Sequence, residues 1–201
     1  MREEKPIVLY GTSIAHGACA SRPGMAWSSI VHRHLDYPLI NLGFSGNGRL
    51  EKEMIQLLTE IDARLYILDC LPNLEGREDE EVTRLVIDAV RQIRQKRQTP
   101  ILLNEHAGRS DAVPGTHPFE LVDRLNKASR KAYEQLKAEG VKEIYYLTQE
   151  EIGIPSDGWV DYVHPTDLGA AIQAEVVENK IRAIFHLPIG KSSTQRPTSK
   201  K

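Results

Sequence analysis

The chain has 201 residues, 40% of them apolar and 27% charged, with a formal net charge of -2. That length supports one domain with a full hydrophobic core. The charge balance excludes both a basic nucleic-acid surface and an acidic solvating chain, and the longest apolar runs are too short to span a membrane.

In chain order, the opening "MREEKP" lacks the apolar segment of a secretory signal. The chain as it stands therefore reads as cytoplasmic, or as periplasmic or secreted where a signal or preceding domain has been removed. A strand is predicted over 6–10, "PIVLY", running straight into Gly11, Thr12 and Ser13. A phosphate-binding loop would need a lysine in the following turn, and none is there. A helix over 25–36 leads to a second strand, 37–42, which delivers the glycine-rich "NLGFSGNGRL". A helix over 49–61 precedes the third strand, 64–69, and its exit "DCLPNL".

The helix over 78–97 has an acidic first turn and a basic last turn, which complements its dipole and reads as a solvated face. A fourth strand, 99–104, and the loop "NEHAGRSDAVPGTH" lead to a helix over 118–139. Leu121, Leu125, Ala128, Ala132 and Leu136 form its core stripe, and Gly140 stands at the C′ position. A fifth strand, 143–147, and a last helix, 166–186, follow. The polar tail 188–201 reads as disordered behind a domain of residues 1–187.

Strand–helix alternation of this kind implies right-handed crossovers. The expected fold is α/β: a three-layer α/β/α sandwich on a doubly wound, parallel five-stranded sheet of flavodoxin-like order 2-1-3-4-5. In such sheets ligands bind beyond the carboxyl ends of the strands, where strand order reverses. Ser13, Gly46 and Asn73 all leave strands at that end. Singly, each has a plainer reading: Ser13 as a helix cap, Gly46 as a turn residue, Asn73 as a cap after Pro72. A serine nucleophile needs a base held by an acid. Of seven histidines, His164 has a suitably spaced one, Asp161, in "DGWVDYVHPTDLGA". The pair reads equally as a cap of the last helix, with Pro165 and Thr166 beginning it.

With "GTS", "GFSGNG", "LPN" and "DYVH" in this order over residues 6 to 186, the chain resembles the SGNH hydrolases, the GDSL-type esterases and acylhydrolases. It looks most like a bacterial subgroup whose members often carry an additional N-terminal β-sandwich domain. The resemblance implies Ser13 as nucleophile and His164 as general base oriented by Asp161. It also implies an oxyanion hole made by the backbone N–H groups of Ser13 and Gly46 and the side-chain amide of Asn73. Two departures bear on substrate. Thr12 replaces the aspartate of the family's GDS, and "CLPNL" replaces its Gly-x-Asn-Asp.

The polar residues expected at the mouth (Thr12, Asn47, Arg49, Glu105, His106 and Arg109) suit a hydrophilic ester, with an acylated or acetylated carbohydrate as the preferred substrate. No metal and no cofactor is expected, and neither nucleic acid nor membrane is expected as a partner. The rival readings are an acyltransferase with the same triad and a non-catalytic carbohydrate-binding domain. "GFSGNG" is not a dinucleotide fingerprint, and Cys70 reads as a small apolar core residue.

Overall fold

Five apolar runs become the strands of one parallel sheet in the structure, a computed structural model that describes residues 4–188. The strands are β1 (Ile7–Gly11), β2 (Leu39–Gly43), β3 (Leu65–Asp69), β4 (Ile101–Asn104) and β5 (Ile144–Leu147), in the order β2-β1-β3-β4-β5. Every pairing is parallel, and the register sets Gly11 beside Gly43 on one side and Asp69 on the other. The longer helices are α2 (Trp27–Leu35), α3 (Lys52–Leu58), α4 (Asp79–Arg94), α5 (His117–Ala138) and α7 (Asp167–Ile184). Two single-turn helices, α1 (Ser13–His16) and α6 (Gln149–Ile152), follow β1 and β5 directly.

The alternation of side chains along a strand splits the core in two. Val8, Tyr10, Tyr66 and Leu68 pack against α3, α4 and α5, through residues such as Ile55, Val86, Val90, Leu125 and Ala132. Ile7, Leu9, Leu65 and Ile67 pack on the opposite face against Ile14, Trp27, Val31, Ala174 and Val177 of α1, α2 and α7. Both faces of the central strands are thus buried, which is why β1 and β3 are continuous apolar runs rather than alternating ones. Consecutive crossovers leave β1 and β3 toward opposite faces. The resulting cleft lies beyond Gly11 and Asp69, at the reversal of strand order.

The expected five strands and five long helices are all present, with ends displaced by a few residues. Gly140 takes a φ of +82° just past α5, as a C′ glycine does. The tail assigned to 188–201 lies, from 189 onward, outside the described residues. Among the described residues no helix is long and apolar enough to cross a membrane.

Candidate active site

Thr12, not Ser13, caps the first turn. The Thr12 Oγ1 accepts from the Ile14 N–H at 3.3 Å, and Ser13 is the first residue of α1. A serine in that position keeps its hydroxyl out of the capping role, and its backbone N–H has no intrahelical acceptor. The Asn41 side chain braces the turn from β2, donating to the Ala15 carbonyl at 2.7 Å and the Ser28 hydroxyl at 2.8 Å. Its own Oδ1 accepts from the Gly43 N–H.

His164 comes from the loop before α7. A bridge between Trp159 and Pro165 and the Val160 N–H to His164 carbonyl bond close that loop into a narrow turn. Thr166 caps α7 through the Gly169 N–H. The Ser21 hydroxyl and N–H donate to Asp167, tying the segment after α1 to the start of α7.

These supports bring residues 151 positions apart into contact. Ser13 Oγ lies 2.8 Å from His164 Nε2. His164 Nδ1 lies 2.8 Å from Asp161 Oδ2 and 3.0 Å from Oδ1, and the His164 backbone N–H donates to Oδ1 at 2.9 Å. An ionised carboxylate only accepts, so Nδ1 carries the ring hydrogen and Nε2 presents its lone pair to the serine. The His164 backbone N–H chiefly holds the Asp161 carboxyl below the usual range; desolvation opposes it and the His164 ring adds to the pull. A hydroxyl, an imidazole and a carboxylate in series are the arrangement that turns serine into a nucleophile.

The other two strand exits converge beside Ser13. The Phe44 N–H donates to the Gly11 carbonyl at 3.0 Å, seating the β2–α3 loop on the end of β1. Gly46 takes a φ of +70° in that loop, a conformation that favours glycine. Asn73 stands in a 3₁₀ turn, Leu71–Leu74, and its Nδ2 donates to the Asn47 carbonyl and, at 3.4 Å, to that of Phe44. The amide therefore reaches across from β3 to the segment that holds Gly46. Arg49 bonds the Gly46 carbonyl at 2.8 Å and steadies the same loop.

Three of the expected mouth residues, Thr12, His106 and Glu105, need correction. Thr12 and His106 are both wholly buried and present no surface to a substrate. Thr12 is occupied as the α1 cap, and His106 Nδ1 accepts from the Gly108 N–H while its backbone N–H bonds Asn126. Glu105 is buried as well, accepting from Arg130 and from the Gln149 N–H. The Arg109 guanidinium is held by both oxygens of Asp111 and by Glu75. Asn47 and Arg49 are exposed. Phe44, in the β2–α3 loop, and Val160 and Tyr162, the chain neighbours of Asp161, are exposed apolar side chains. Cys70 is buried in the core. Asn41 and Asp167 were not singled out in the sequence, and Cys19 only as an alternative nucleophile to Ser13. Asn41 carries no sequence signal, and Asp167 and Cys19 gain their partners only from far along the chain.

Residues 4–182 match the GDSL-like Lipase/Acylhydrolase family. Among solved structures, a GDSL-like lipase candidate from Bacteroides ovatus ATCC 8483 shares 37% identity at a TM-score of 0.86, covering 94% of this chain and 56% of that one. The salicylyl-acyltransferase SsfX3 of a tetracycline biosynthetic pathway shares 22% identity at a TM-score of 0.80, covering 94% of this chain and 57% of that one. Est24, a carbohydrate acetylesterase from Sinorhizobium meliloti, shares 14% at a TM-score of 0.70, covering 90% of this chain and all of that one. The last two are likenesses of fold. The chain spans little more than half the length of the first two structures. No curated protein sequence matches it. By the match over nearly its whole length, the chain belongs to the GDSL-like lipase/acylhydrolase family.

Proposed function

We propose that this protein is a serine esterase that cleaves small or polar carboxylic esters through Ser13, His164 and Asp161. The observation that carries the reading is the unbroken series Ser13 Oγ, His164 Nε2, His164 Nδ1, Asp161 Oδ2, with both separations at 2.8 Å. In the first step His164 Nε2 takes the hydroxyl proton as Ser13 Oγ adds to the ester carbonyl. Asp161 holds the tautomer and stabilises the imidazolium that forms. The imidazolium then protonates the leaving alcohol, and an acyl-Ser13 ester remains. Water enters by the same path, with His164 again as base, and releases the acid.

The developing oxyanion is assigned to the Ser13 and Gly46 N–H groups and to the Asn73 amide, whose Nδ2 would give up its long bond to the Phe44 carbonyl for it. Donors of this kind, fixed before reaction, typically change the rate by on the order of 100-fold or more each. The bond that seats the loop of Gly46 on the end of β1, and the bond from Asn73 to that loop, support the assignment. Carbohydrate acyl esters are the preferred substrates. Exposed polar groups at Asn47 and Arg49 suit sugar hydroxyls, and the exposed faces of Phe44 and Tyr162 suit the apolar face of a sugar ring.

The test compares wild type with Ser13→Ala, using a fluorophosphonate serine probe and hydrolysis of p-nitrophenyl acetate. Labelling and turnover should both be present in the first and absent in the second. A folded wild type that neither labels nor turns over would remove the reading. A panel of acetylated sugars, run with and without an added alcohol acceptor, then reads the substrate and whether water or alcohol resolves the acyl-enzyme.

A further inference from the structure

A thiol stands beside the proposed catalytic groups. Cys19 is exposed, in the turn after α1, and holds a φ of +67°, unusual for a side chain with a Cβ. One donor atom of Cys19, one of Asp161 and one of His164 lie within 4.8 Å of one another. The three come from two segments that the Ser21–Asp167 bonds hold together, so the meeting is a feature of the tertiary fold. Around a tetrahedral Zn²⁺, with bonds of about 2.0 to 2.3 Å, donors sit roughly 3.5 Å apart. Side chains as exposed as Cys19 and Asp161 close that difference by small torsional changes.

The chemistry of the set selects its ligand. Thiolate with imidazole suits Zn²⁺ and similar borderline cations, whereas Mg²⁺ and Ca²⁺ require oxygen donors. Desolvation first, and then the Asp161 charge, push the Cys19 thiol above its usual range. Without a metal the thiol is therefore a poor candidate for a second nucleophile.

We propose that Cys19, Asp161 and His164 form an inhibitory site for a thiophilic divalent cation such as Zn²⁺. This rests on the reading of His164 as the general base. Binding forms bonds from the cation to Cys19 Sγ, an Asp161 oxygen and His164 Nδ1, leaving a fourth position for water. The thiol proton is released to solvent. The ring stays neutral, its hydrogen moving from Nδ1 to Nε2. Nε2–H then donates toward Ser13 Oγ and no longer accepts its proton, so acylation stops. The metal thus imposes the opposite tautomer to the one that Asp161 otherwise enforces.

Two measurements separate this proposal from the esterase reading. The first titrates Zn²⁺ into chelator-treated wild type and Cys19→Ala during p-nitrophenyl acetate hydrolysis, with Mg²⁺ as control. Alanine keeps the Cβ, so the backbone at position 19 meets a similar requirement. Metal-free activities should match. Zn²⁺ should inhibit the wild type reversibly, Mg²⁺ should not, and the inhibition midpoint should rise by about 10-fold or more in Cys19→Ala, given what even indirect ligand partners contribute.

The second measurement needs no activity. Co²⁺ is added to Ser13→Ala and to Ser13→Ala/Cys19→Ala, and the near-ultraviolet thiolate-to-Co²⁺ absorption is followed. The band should appear in the first and be missing from the second. Cys70, wholly inside the core, supplies no thiolate to confuse it. Equal inhibition of wild type and Cys19→Ala, or no thiolate band in Ser13→Ala, overturns the proposal. An inactive wild type, with the band still present in Ser13→Ala and missing from the double variant, would overturn the esterase reading and leave the cation site standing.

Discussion

Asp69 ends β3 beside Gly11 and is buried, with no hydrogen bond to its Oδ2. Burial pushes its carboxyl up to about 7, with the Asn104 amide opposing. Below about pH 4 the group is protonated whether the chain is folded or unfolded, and it makes no difference to stability. Between about pH 4 and 7 the unfolded chain gives up the proton while the folded one keeps it, so stability falls as pH rises, and above that window the loss is complete. Asp69→Asn removes this dependence. Its unfolding free energy relative to wild type should therefore gain on the order of 2 kcal/mol between pH 5 and pH 8. Urea denaturation at the two pH values reads it, and a difference that does not change with pH would show that Asp69 titrates normally.

Among the elements, the β2–α3 loop is fixed most tightly by a residue with no side chain. Gly48 has a φ of +72°, and a Cβ there would come within 2.1 Å of the Gly11 carbonyl oxygen. Gly48→Ala must therefore both strain its own backbone and lift the loop from β1. We expect a loss of stability on the order of 2 kcal/mol and, under the proposed function, a larger proportional loss of ester turnover, because Gly46 and the Asn73 contact move with the loop. Thermal denaturation together with kcat/KM on p-nitrophenyl acetate checks both. A variant with wild-type Tm and activity would mean that the loop has another way to close.

Across the whole molecule, a buried carboxylate joins three elements. Glu105, just past β4, accepts from Arg130 of α5 at 2.8 and 3.1 Å and from the first N–H of α6 at 2.7 Å. Arg130→Ala leaves that charge under-compensated. Because the arginine side chain is 44% exposed, the cost should be roughly 1 to 2 kcal/mol, below that of a fully buried pair. Lys127→Ala, which breaks the exposed pair with Asp123 one turn earlier on α5, should change stability by less than about 0.5 kcal/mol. Guanidinium denaturation of the two variants tests the ranking, and equal effects would mean that Glu105 finds another partner.

Strand runs such as "PIVLY" and the helical stripe of Leu121, Leu125 and Ala132 are local patterns, and such patterns specify the five strands, the five long helices and the parallel architecture. The sequence by itself also marked Ser13, Gly46, Asn73 and the Asp161–His164 spacing, because strand exits and short loop motifs are written in adjacent residues. Burial and partners were decided only in three dimensions. Thr12 and His106 are polar residues at strand exits, like Ser13, but α1 capping consumes one and the loop after β4 encloses the other. The meeting of Cys19 with Asp161 and His164 likewise depends on how the segment after α1 lies against the start of α7. Local periodicity reports which face a residue turns inward; which distant side chain waits there depends on the packing of the whole chain.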